Sequence, residues 1–192
     1  MEALLKDIAS RFTVTDSRVS HPGQGFLRVE QEHAVSLLRH LRDAEQFTHL
    51  VFLTAVDVIE QGVFRLVYLL HDYAGGRDLG VEVEVPRDEP AMESIHLLWA
   101  QAGTYQRELK EMFGIDFPGS PRVDEPFILE SWDDIPPMRR EFDTRAYSEQ
   151  RYFPREGRQK IVAKEYMREQ LYPDLDETTA GDGAGGNGER KA

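Results

Sequence analysis

Three apolar stretches in the middle of the chain constrain its fold more than any other feature. Residues 49–58 and 63–70 are rich in β-branched and other apolar side chains, and a short polar turn ending at Gly62 separates them, which is typical of a β-hairpin. Residues 79–85 then alternate strictly, with Leu79, Val81, Val83 and Val85 on one face and Gly80, Glu82 and Glu84 on the other. We therefore expect a three-stranded antiparallel meander whose last strand exposes its glutamate face to water.

Amphipathic segments on either side of these strands indicate helices. Apolar residues recur with helical spacing in residues 2–12, 31–44 and 104–113. Thr104 is placed to cap the third of these helices, and Gly114 is placed to end it in the left-handed conformation. The expected fold class is α+β, with a mostly antiparallel sheet flanked by helices.

The chain changes character after the third helix. Six of its ten prolines lie between residues 114 and 160, yet this stretch is rich in aromatic side chains, which a disordered linker would not hold. We expect residues 1–117 to form a domain and residues 118–171 to form an extended arm that buries its aromatic side chains on a neighbouring subunit. Residues 138–168 contain nine basic and five acidic residues, and this net charge of +4 suits an acidic protein partner. The Gly-rich residues 172–192 are predicted to be a disordered tail.

Charge and cysteine content exclude several functions. The chain has 23 Lys and Arg residues against 35 Asp and Glu residues, and its net charge of −12 opposes binding to nucleic acid and to anionic lipid. It has no cysteine, which excludes thiolate nucleophiles and Cys-ligated zinc or iron–sulfur clusters. We find no signal-peptide pattern and no apolar stretch of membrane-spanning length, so we expect a soluble protein that reaches a membrane only through its partners.

Few residue patterns in the chain are typical of catalysis. Neither a serine nucleophile motif nor a phosphate-binding glycine loop is present. The remaining candidates are an acid–base pair at His71 and Asp72, a carboxylate pair at Glu82 and Glu84, and a divalent-cation site at Asp133 and Asp134. Each has a structural alternative: a strand-end histidine, a solvated strand face and a turn. We therefore expect no catalytic, cofactor-binding or metal-ligating residue in this chain.

The most distinctive stretch is residues 105–121, which read Y-Q-R-E-L-K-E-M-F-G-I-D-F-P-G-S-P. It resembles the signature of the C subunit of NADH–quinone oxidoreductase, the 30 kDa subunit of respiratory complex I, which runs roughly E-R-E-x-x-D-M-F-G-I-x-F-x-G-H-P. The chain departs from this signature at two positions. Gln106 replaces the first glutamate, and Ser120 stands where the family mostly has histidine. Residues 137–141, P-M-R-R-E, resemble a second family stretch, P-L-R-K-D, and the resemblance covers about residues 30–143.

The charged residues of this helix can be interpreted in two ways. Arg107 and Glu111 are four residues apart on the side away from the apolar stripe, where they could form a surface ion pair. The resemblance implies instead that Arg107 and Glu108 are charge anchors at a subunit boundary, where breaking a desolvated pair is costly.

The resemblance also implies which residues face partner subunits. Two consecutive prolines before Arg139 and Arg140 resemble a stiff element that presents two guanidinium groups to carboxylates on a partner. The expected interface residues are Arg107, Glu108, Met112, Phe113, Gly114, Phe117, Gly119, Pro121, Pro137, Arg139 and Arg140.

The function implied by the resemblance is structural. The chain would be a cofactor-free subunit in the peripheral arm of a complex-I-type oxidoreductase, at the cytoplasmic face of the membrane, and an enzyme only as part of that complex. Its partners would be the large quinone-site subunit that resembles [NiFe] hydrogenase large subunits and the small iron–sulfur subunit. The alternatives are the equivalent subunit of a membrane-bound energy-converting [NiFe] hydrogenase or a related ferredoxin- or sulfur-linked complex, a free-standing metal-dependent enzyme using His71 and Asp72, and a soluble adaptor.

Overall fold

The computed structural model describes residues 1–152, 166–168 and 170. The elements are, in chain order, α1 (Glu2–Arg11), β1 (Val14–His21), β2 (Gln24–Val29), α2 (Gln31–Asp43), β3 (His49–Val58), a 3₁₀ turn (Ile59–Gln61), β4 (Val63–Asp72), β5 (Arg77–Pro86), α3 (Ala102–Phe113) and α4 (Thr144–Arg151). The expected α+β class is confirmed. Residues 1–147 form one compact unit, and the predicted division of the chain at residue 117 stays a prediction. The predicted tail and part of the predicted arm lie outside the described residues.

Five strands form a single sheet in the order β1-β2-β5-β4-β3. The predicted meander is confirmed, because β4 pairs antiparallel with both β3 and β5. In contrast, β2 pairs in parallel with β5. β1 and β2 are joined by a tight turn at Pro22 and Gly23 and pair antiparallel with each other. β1 was not predicted from the sequence, because seven of its eight residues are exposed and its side chains show no apolar alternation.

The hydrophobic core lies between the sheet and the helices. The largest fully buried side chains include Ile8 of α1, Leu37, Leu38 and Leu41 of α2, Leu50 and Leu53 of β3, and Phe64, Leu66 and Tyr68 of β4. Burial of apolar surface contributes about 25 cal/mol per Å², so this cluster is the main source of the domain's stability. α3 packs next to β3 and contributes Leu109, Met112 and Phe113 to the same core.

The glutamate face of β5 is covered at Glu82, so the prediction of a solvated face is wrong at this residue. This residue is 4% exposed, because Arg18 of β1 and Arg28 of β2 reach over its carboxylate, with N···O distances of 2.5 and 2.8 Å. The ring of Phe26 lies over Gly80 and leaves no space there for a β-carbon. The side chains that cover this face belong to β1 and β2. The local sequence pattern does not reveal that these strands lie on this side of β5.

Replacing Glu82 with glutamine is expected to lower the free energy of unfolding at neutral pH by about 1–2 kcal/mol, because it weakens hydrogen bonds to two charged partners. Burial raises the pKa of Glu82, but the hydrogen bonds from Arg18 and Arg28 outweigh burial and hold the pKa below its ordinary value. A carboxyl group with a lowered pKa stabilises the folded state above its unfolded pKa of about 4.3, and this stabilisation is lost as pH falls through the folded pKa. Urea unfolding at a series of pH values should therefore show the two proteins converging in acid.

The matched control for this experiment is Glu84→Gln. The Glu84 side chain is 33% exposed and forms its shortest ion pair with Arg65, at 2.8 Å, so water can replace much of that interaction. Equal losses for the two variants, or a Glu82→Gln loss that stays constant into acid, would contradict the prediction.

α3 begins at Ala102, two residues earlier than predicted, so Thr104 lies in its first turn and does not cap it. The predicted end of the helix is confirmed, because Gly114 has a φ of 76° in the left-handed region. Residues 94–99 form turns that contribute to the core.

Candidate partner interface

α3 carries two different kinds of side chain on its opposite faces. The face toward the sheet is buried and holds Ala102, Gln106, Leu109, Met112 and Phe113. The opposite face carries Arg107, Lys110 and Glu111. All three contact residues 118–142, which contain five of the chain's ten prolines and which we call the Pro-rich segment. The signature helix therefore connects the core to the segment that follows it.

The carboxylate of Glu111 is the first attachment point of the Pro-rich segment. Its Oε1 atom accepts hydrogen bonds from the backbone N–H groups of Phe127 and Leu129, at 2.7 and 3.1 Å, and its Oε2 atom accepts one from Ile128, at 2.9 Å. Hydrogen bonds from backbone amides to a charged acceptor are among the stronger ones in proteins. Because Glu111 binds backbone, the surface ion pair considered for Arg107 and Glu111 is not formed.

The other charged residues in this part of α3 differ in the groups they contact. The guanidinium carbon of Arg107 lies 5.2 Å from the ring centroid of Phe127, within cation–π range, and Lys110 forms an ion pair with Asp124. The carboxylate of Glu108 makes no hydrogen bond or ion pair within the described part of the chain. Three of the four charged side chains in this part of the helix thus hold the chain's own Pro-rich segment.

A second attachment lies at the C-terminus of α3. The Nε atom of Arg139 donates a hydrogen bond of 2.7 Å to the carbonyl oxygen of Phe113. A β-carbon on Gly114 would lie 2.9 Å from Nη2 of Arg139 and 3.2 Å from Cγ of Pro136. The chain therefore needs glycine at position 114 for two reasons: the left-handed conformation and the close approach of residues 136–139.

A buried carboxylate provides the third attachment. The side chain of Asp57 is 3% exposed and accepts two hydrogen bonds from Arg87, at 2.8 and 2.9 Å. The backbone N–H of Arg140 donates to the same carboxylate at 2.9 Å, and Arg87 also binds Glu141. Burial raises the pKa of Asp57, but the hydrogen bonds from Arg87 and Arg140 outweigh it and lower the pKa below its ordinary value. Residues 140–141 are thereby fixed to the end of β3.

The predicted interface residues fall into three structural groups. Met112, Phe113 and Phe117 are buried, and core packing alone accounts for their apolar side chains. The residues that hold the Pro-rich segment are Arg107, Gly114 and Arg139. The residues that keep partial or full exposure are Glu108, Gly119, Pro121, Pro137 and Arg140, whose side chain also pairs with Glu60. The role of all of these residues at a partner stays a prediction.

The residues that build the attachments were not predicted from the sequence. They are Asp57, Arg87, Phe127 and Glu141, with Glu111 in a different role from the one considered. A signal for Asp57 was present, because a carboxylate on the apolar face of a strand requires a charged or hydrogen-bonding partner. No local pattern names that partner, since Arg87 is thirty residues further along the chain.

His71 and Asp72 do not form the acid–base pair that the sequence suggested. Successive residues of β4 point to opposite faces of the sheet, so the two side chains have separate partners. His71 Nδ1 lies 2.7 Å from a carboxylate oxygen of Asp78. Asp72 is 2% exposed, binds Arg77 at 2.8 Å and accepts the N–H of Ala74 at 2.9 Å.

Two further observations concern metals and membranes. In the part of the chain that the structure describes, Glu30, Glu32 and His33 could bring three ligand atoms within 4.8 Å of one another, and both glutamates are exposed. Asp134, half of the suggested cation site, accepts a hydrogen bond from the N–H of Ile135. No helix among the described residues is long and apolar enough to cross a membrane.

Replacing Glu111 with glutamine is expected to lower the free energy of unfolding by about 1–2 kcal/mol, because the backbone amides lose their charged acceptor. Hydrogen exchange of the amides of residues 127–129 should accelerate more than exchange in the sheet, since only the local attachment is weakened. Glu108→Gln, one turn away and without a hydrogen bond to the described residues, is the control and should leave both measurements nearly unchanged. Unaltered exchange at residues 127–129 would contradict the proposed attachment.

The fold and the three attachments define a class of protein: a small α+β domain whose signature helix fastens a Pro-rich segment to the domain's own surface. Residues 27–148 match the model of the family described as the respiratory-chain NADH dehydrogenase 30 Kd subunit. The chain belongs to this family, and the resemblance identified from residues 105–121 is confirmed.

The similar proteins come from several kinds of respiratory complex. The chain is 33% identical over 95 residues to the C subunit of NADH-quinone oxidoreductase from Moorella thermoacetica. This match covers 50% of this chain and 64% of that protein, so the chain spans slightly less than two thirds of that protein's length. It is 25% identical over 145 residues to the C subunit of F(420)H(2) dehydrogenase from Methanosarcina mazei, covering 73% of this chain and 90% of that protein. A chain of the membrane-bound sulfane sulfur reductase, an archaeal respiratory membrane complex, shares the fold with a TM-score of 0.74 at 24% identity, covering 84% of this chain and 95% of that one.

Proposed function

We propose that this chain is a structural subunit of a membrane-associated, complex-I-type oxidoreductase and that it carries no redox centre of its own. Membership of the 30 Kd subunit family is the observation that carries the proposal. The absence of cysteine from the sequence supports it, because the chain cannot supply thiolate ligands to an iron–sulfur cluster. The chain would contribute to the reaction by holding other subunits, and their clusters, in fixed positions.

The three attachments support a role in positioning. A docking segment that is already fixed to its domain loses less conformational freedom on binding than a mobile one, so more of the contact energy appears as affinity. Residues 118–142 are fixed in this way by Glu111, Arg139 and Asp57. We propose that this surface binds the large quinone-site subunit and the small iron–sulfur subunit, at the cytoplasmic face of the membrane.

Glu108 is the charged residue of the signature that we assign to a partner. Its carboxylate has no hydrogen-bond or ion-pair partner within the described residues, while its neighbours on the helix are engaged in the chain itself. Under the proposal, a cationic side chain of another subunit neutralises it in the assembled complex.

The test is a pull-down of the tagged full-length chain from detergent-solubilised native membranes, with mass spectrometry of the co-purifying subunits. We expect a hydrogenase-like large subunit and an iron–sulfur subunit in amounts equal to the tagged chain. Flavin- and NADH-binding subunits in the same complex would identify an NADH–quinone oxidoreductase. Recovery of the chain alone, with stoichiometric bound metal, would contradict the proposal and favour a free-standing metal enzyme.

A second candidate keeps the structural role but changes the electron donor or acceptor. The observation behind this candidate is the similarity to the C subunit of F(420)H(2) dehydrogenase from Methanosarcina mazei, which extends over 90% of that protein. The same pull-down separates the two candidates. A large subunit recovered without flavin- and NADH-binding subunits would support a hydrogenase-, ferredoxin- or sulfur-linked complex.

A further inference from the structure

We infer that Ile128, at the tip of the loop formed by residues 122–131, is an anchor for a protein partner whose surface offers an apolar pocket rimmed by lysine or arginine. The Ile128 side chain is 66% exposed, whereas Phe127 and Leu129 on either side are partly buried. A large apolar side chain held outward between two that point inward resembles the aliphatic and aromatic anchors found at the centre of protein interfaces.

The loop is held in place at its tip. The N–H groups of residues 127, 128 and 129 all donate to the carboxylate of Glu111, and Arg107 lies against the ring of Phe127. The backbone at Ile128 therefore has a fixed position relative to α3. A side chain presented from a fixed backbone loses little freedom when it enters a pocket.

The backbone of the loop is strained at both ends. Arg122 has a φ of 56° and Ser131 a φ of 59°, so two residues that carry a β-carbon adopt the left-handed conformation that favours glycine. Strained backbone of this kind is concentrated at functional sites, where the surrounding structure holds a required geometry. Two such residues bracketing one exposed isoleucine indicate that the shape of this loop has a use outside the domain.

The charge of the loop region specifies the kind of partner. Residues 122–135 contain one arginine and five carboxylates, which gives this segment a net charge of −4. Nucleic acid and anionic lipid would be repelled, while a basic protein surface would be attracted. An apolar tip with an acidic surround thus fits a pocket lined by apolar side chains and rimmed by cations.

This inference rests on the proposed function, because it takes the partner to be another subunit of the complex. The experiment replaces Ile128 with aspartate in the full-length tagged chain and compares the subunits that co-purify from native membranes. We expect at least a roughly tenfold loss of co-purifying subunits, as is common for an interface anchor. Leu97→Asp is the matched control, because Leu97 is 82% exposed in another loop, and should stay within about twofold of the wild type.

Thermal unfolding of the isolated Ile128→Asp chain should match the wild type, because the side chain contributes little to the core. Wild-type recovery of the complex by Ile128→Asp would overturn the inference and leave the proposed function intact. If the wild-type chain itself recovered no subunits, the proposed function would fail and the inference with it.

A photo-crosslinking amino acid at position 128 gives a second, independent result. We expect the crosslinked peptide to come from a different subunit and to contain more lysine and arginine than aspartate and glutamate. A crosslink to an acidic peptide, to lipid or to a second copy of this chain would overturn the inference.

Discussion

Replacing Asp57 with alanine is expected to lower the free energy of unfolding by about 3 kcal/mol, at the lower end of the losses typical of breaking a buried ion pair, because Arg87 keeps its ion pair with Glu141. The side chain of Arg87 is only 15% exposed, so its guanidinium cannot recover full hydration when the carboxylate is removed. The N–H of Arg140 also loses its acceptor, which releases residues 140–141 from the end of β3. Chemical denaturation of the full chain measures the loss directly.

Two further variants separate the contributions at this site. Glu60→Ala removes an ion pair to Arg140 in which both side chains are more than half exposed, so we expect a much smaller loss than for Asp57→Ala. Asp57→Asn keeps the size of the side chain and should lie between the two, because a neutral amide still accepts hydrogen bonds. A loss for Asp57→Ala no larger than that for Glu60→Ala would show that the buried pair does not stabilise the domain.

Local patterns predicted the elements whose structure depends on neighbours in the sequence. The β3–β4–β5 meander follows from apolar runs separated by short turns, and the end of α3 follows from Gly114, which tolerates the left-handed conformation. The predicted cap at Thr104 was wrong, since the core contact of Ala102 extends the helix by two residues. Tertiary packing overrode a weak local preference there.

Long-range pairing accounts for what the sequence patterns could not predict. The parallel alignment of β2 with β5 brings Arg28 over Glu82, although 54 residues separate them. Glu82 therefore forms a buried ion pair, where the sequence pattern predicted a solvent-exposed side chain. The same reason applies at the candidate interface. Helical spacing correctly placed Glu111 on the side of α3 away from the core, but its partners are backbone amides of residues 127–129, and no side-chain pattern encodes them.

The signature residues of this chain therefore have an intramolecular role that the resemblance alone does not reveal. Arg107, Gly114 and Arg139 all act between α3 and the Pro-rich segment, so a substitution at any of them would change the shape of the surface offered to a partner. Assembly defects from such substitutions do not prove direct contact with another subunit. The free energy of unfolding and the local hydrogen exchange of the isolated chain must be measured together with assembly. These measurements distinguish a changed surface shape from a lost contact with another subunit.

Replacing Gly114 with alanine is expected to lower the free energy of unfolding by about 2–3 kcal/mol, of which about 1–2 kcal/mol is the cost of the left-handed conformation for a residue with a β-carbon. The remainder arises because the new methyl group would lie 2.9 Å from Nη2 of Arg139 and 3.2 Å from Cγ of Pro136. The guanidinium cannot simply swing away, since its Nε atom is hydrogen-bonded to the carbonyl of Phe113 at 2.7 Å. Residues 136–139 must therefore move, and the attachment at the end of α3 is lost.

Gly119→Ala isolates the conformational part of this effect. Gly119 lies in the same signature with a φ of 82°, but nothing lies within 4 Å of the position its β-carbon would occupy. We expect this control to lose only the left-handed cost of about 1–2 kcal/mol, and to keep slow hydrogen exchange at the N–H of Met138, which donates to the carbonyl of Met112 at 3.0 Å. In Gly114→Ala that exchange should accelerate. If the two alanine variants behaved alike in both measurements, the close approach of Arg139 and Pro136 would contribute nothing, and glycine at position 114 would serve the helix terminus alone.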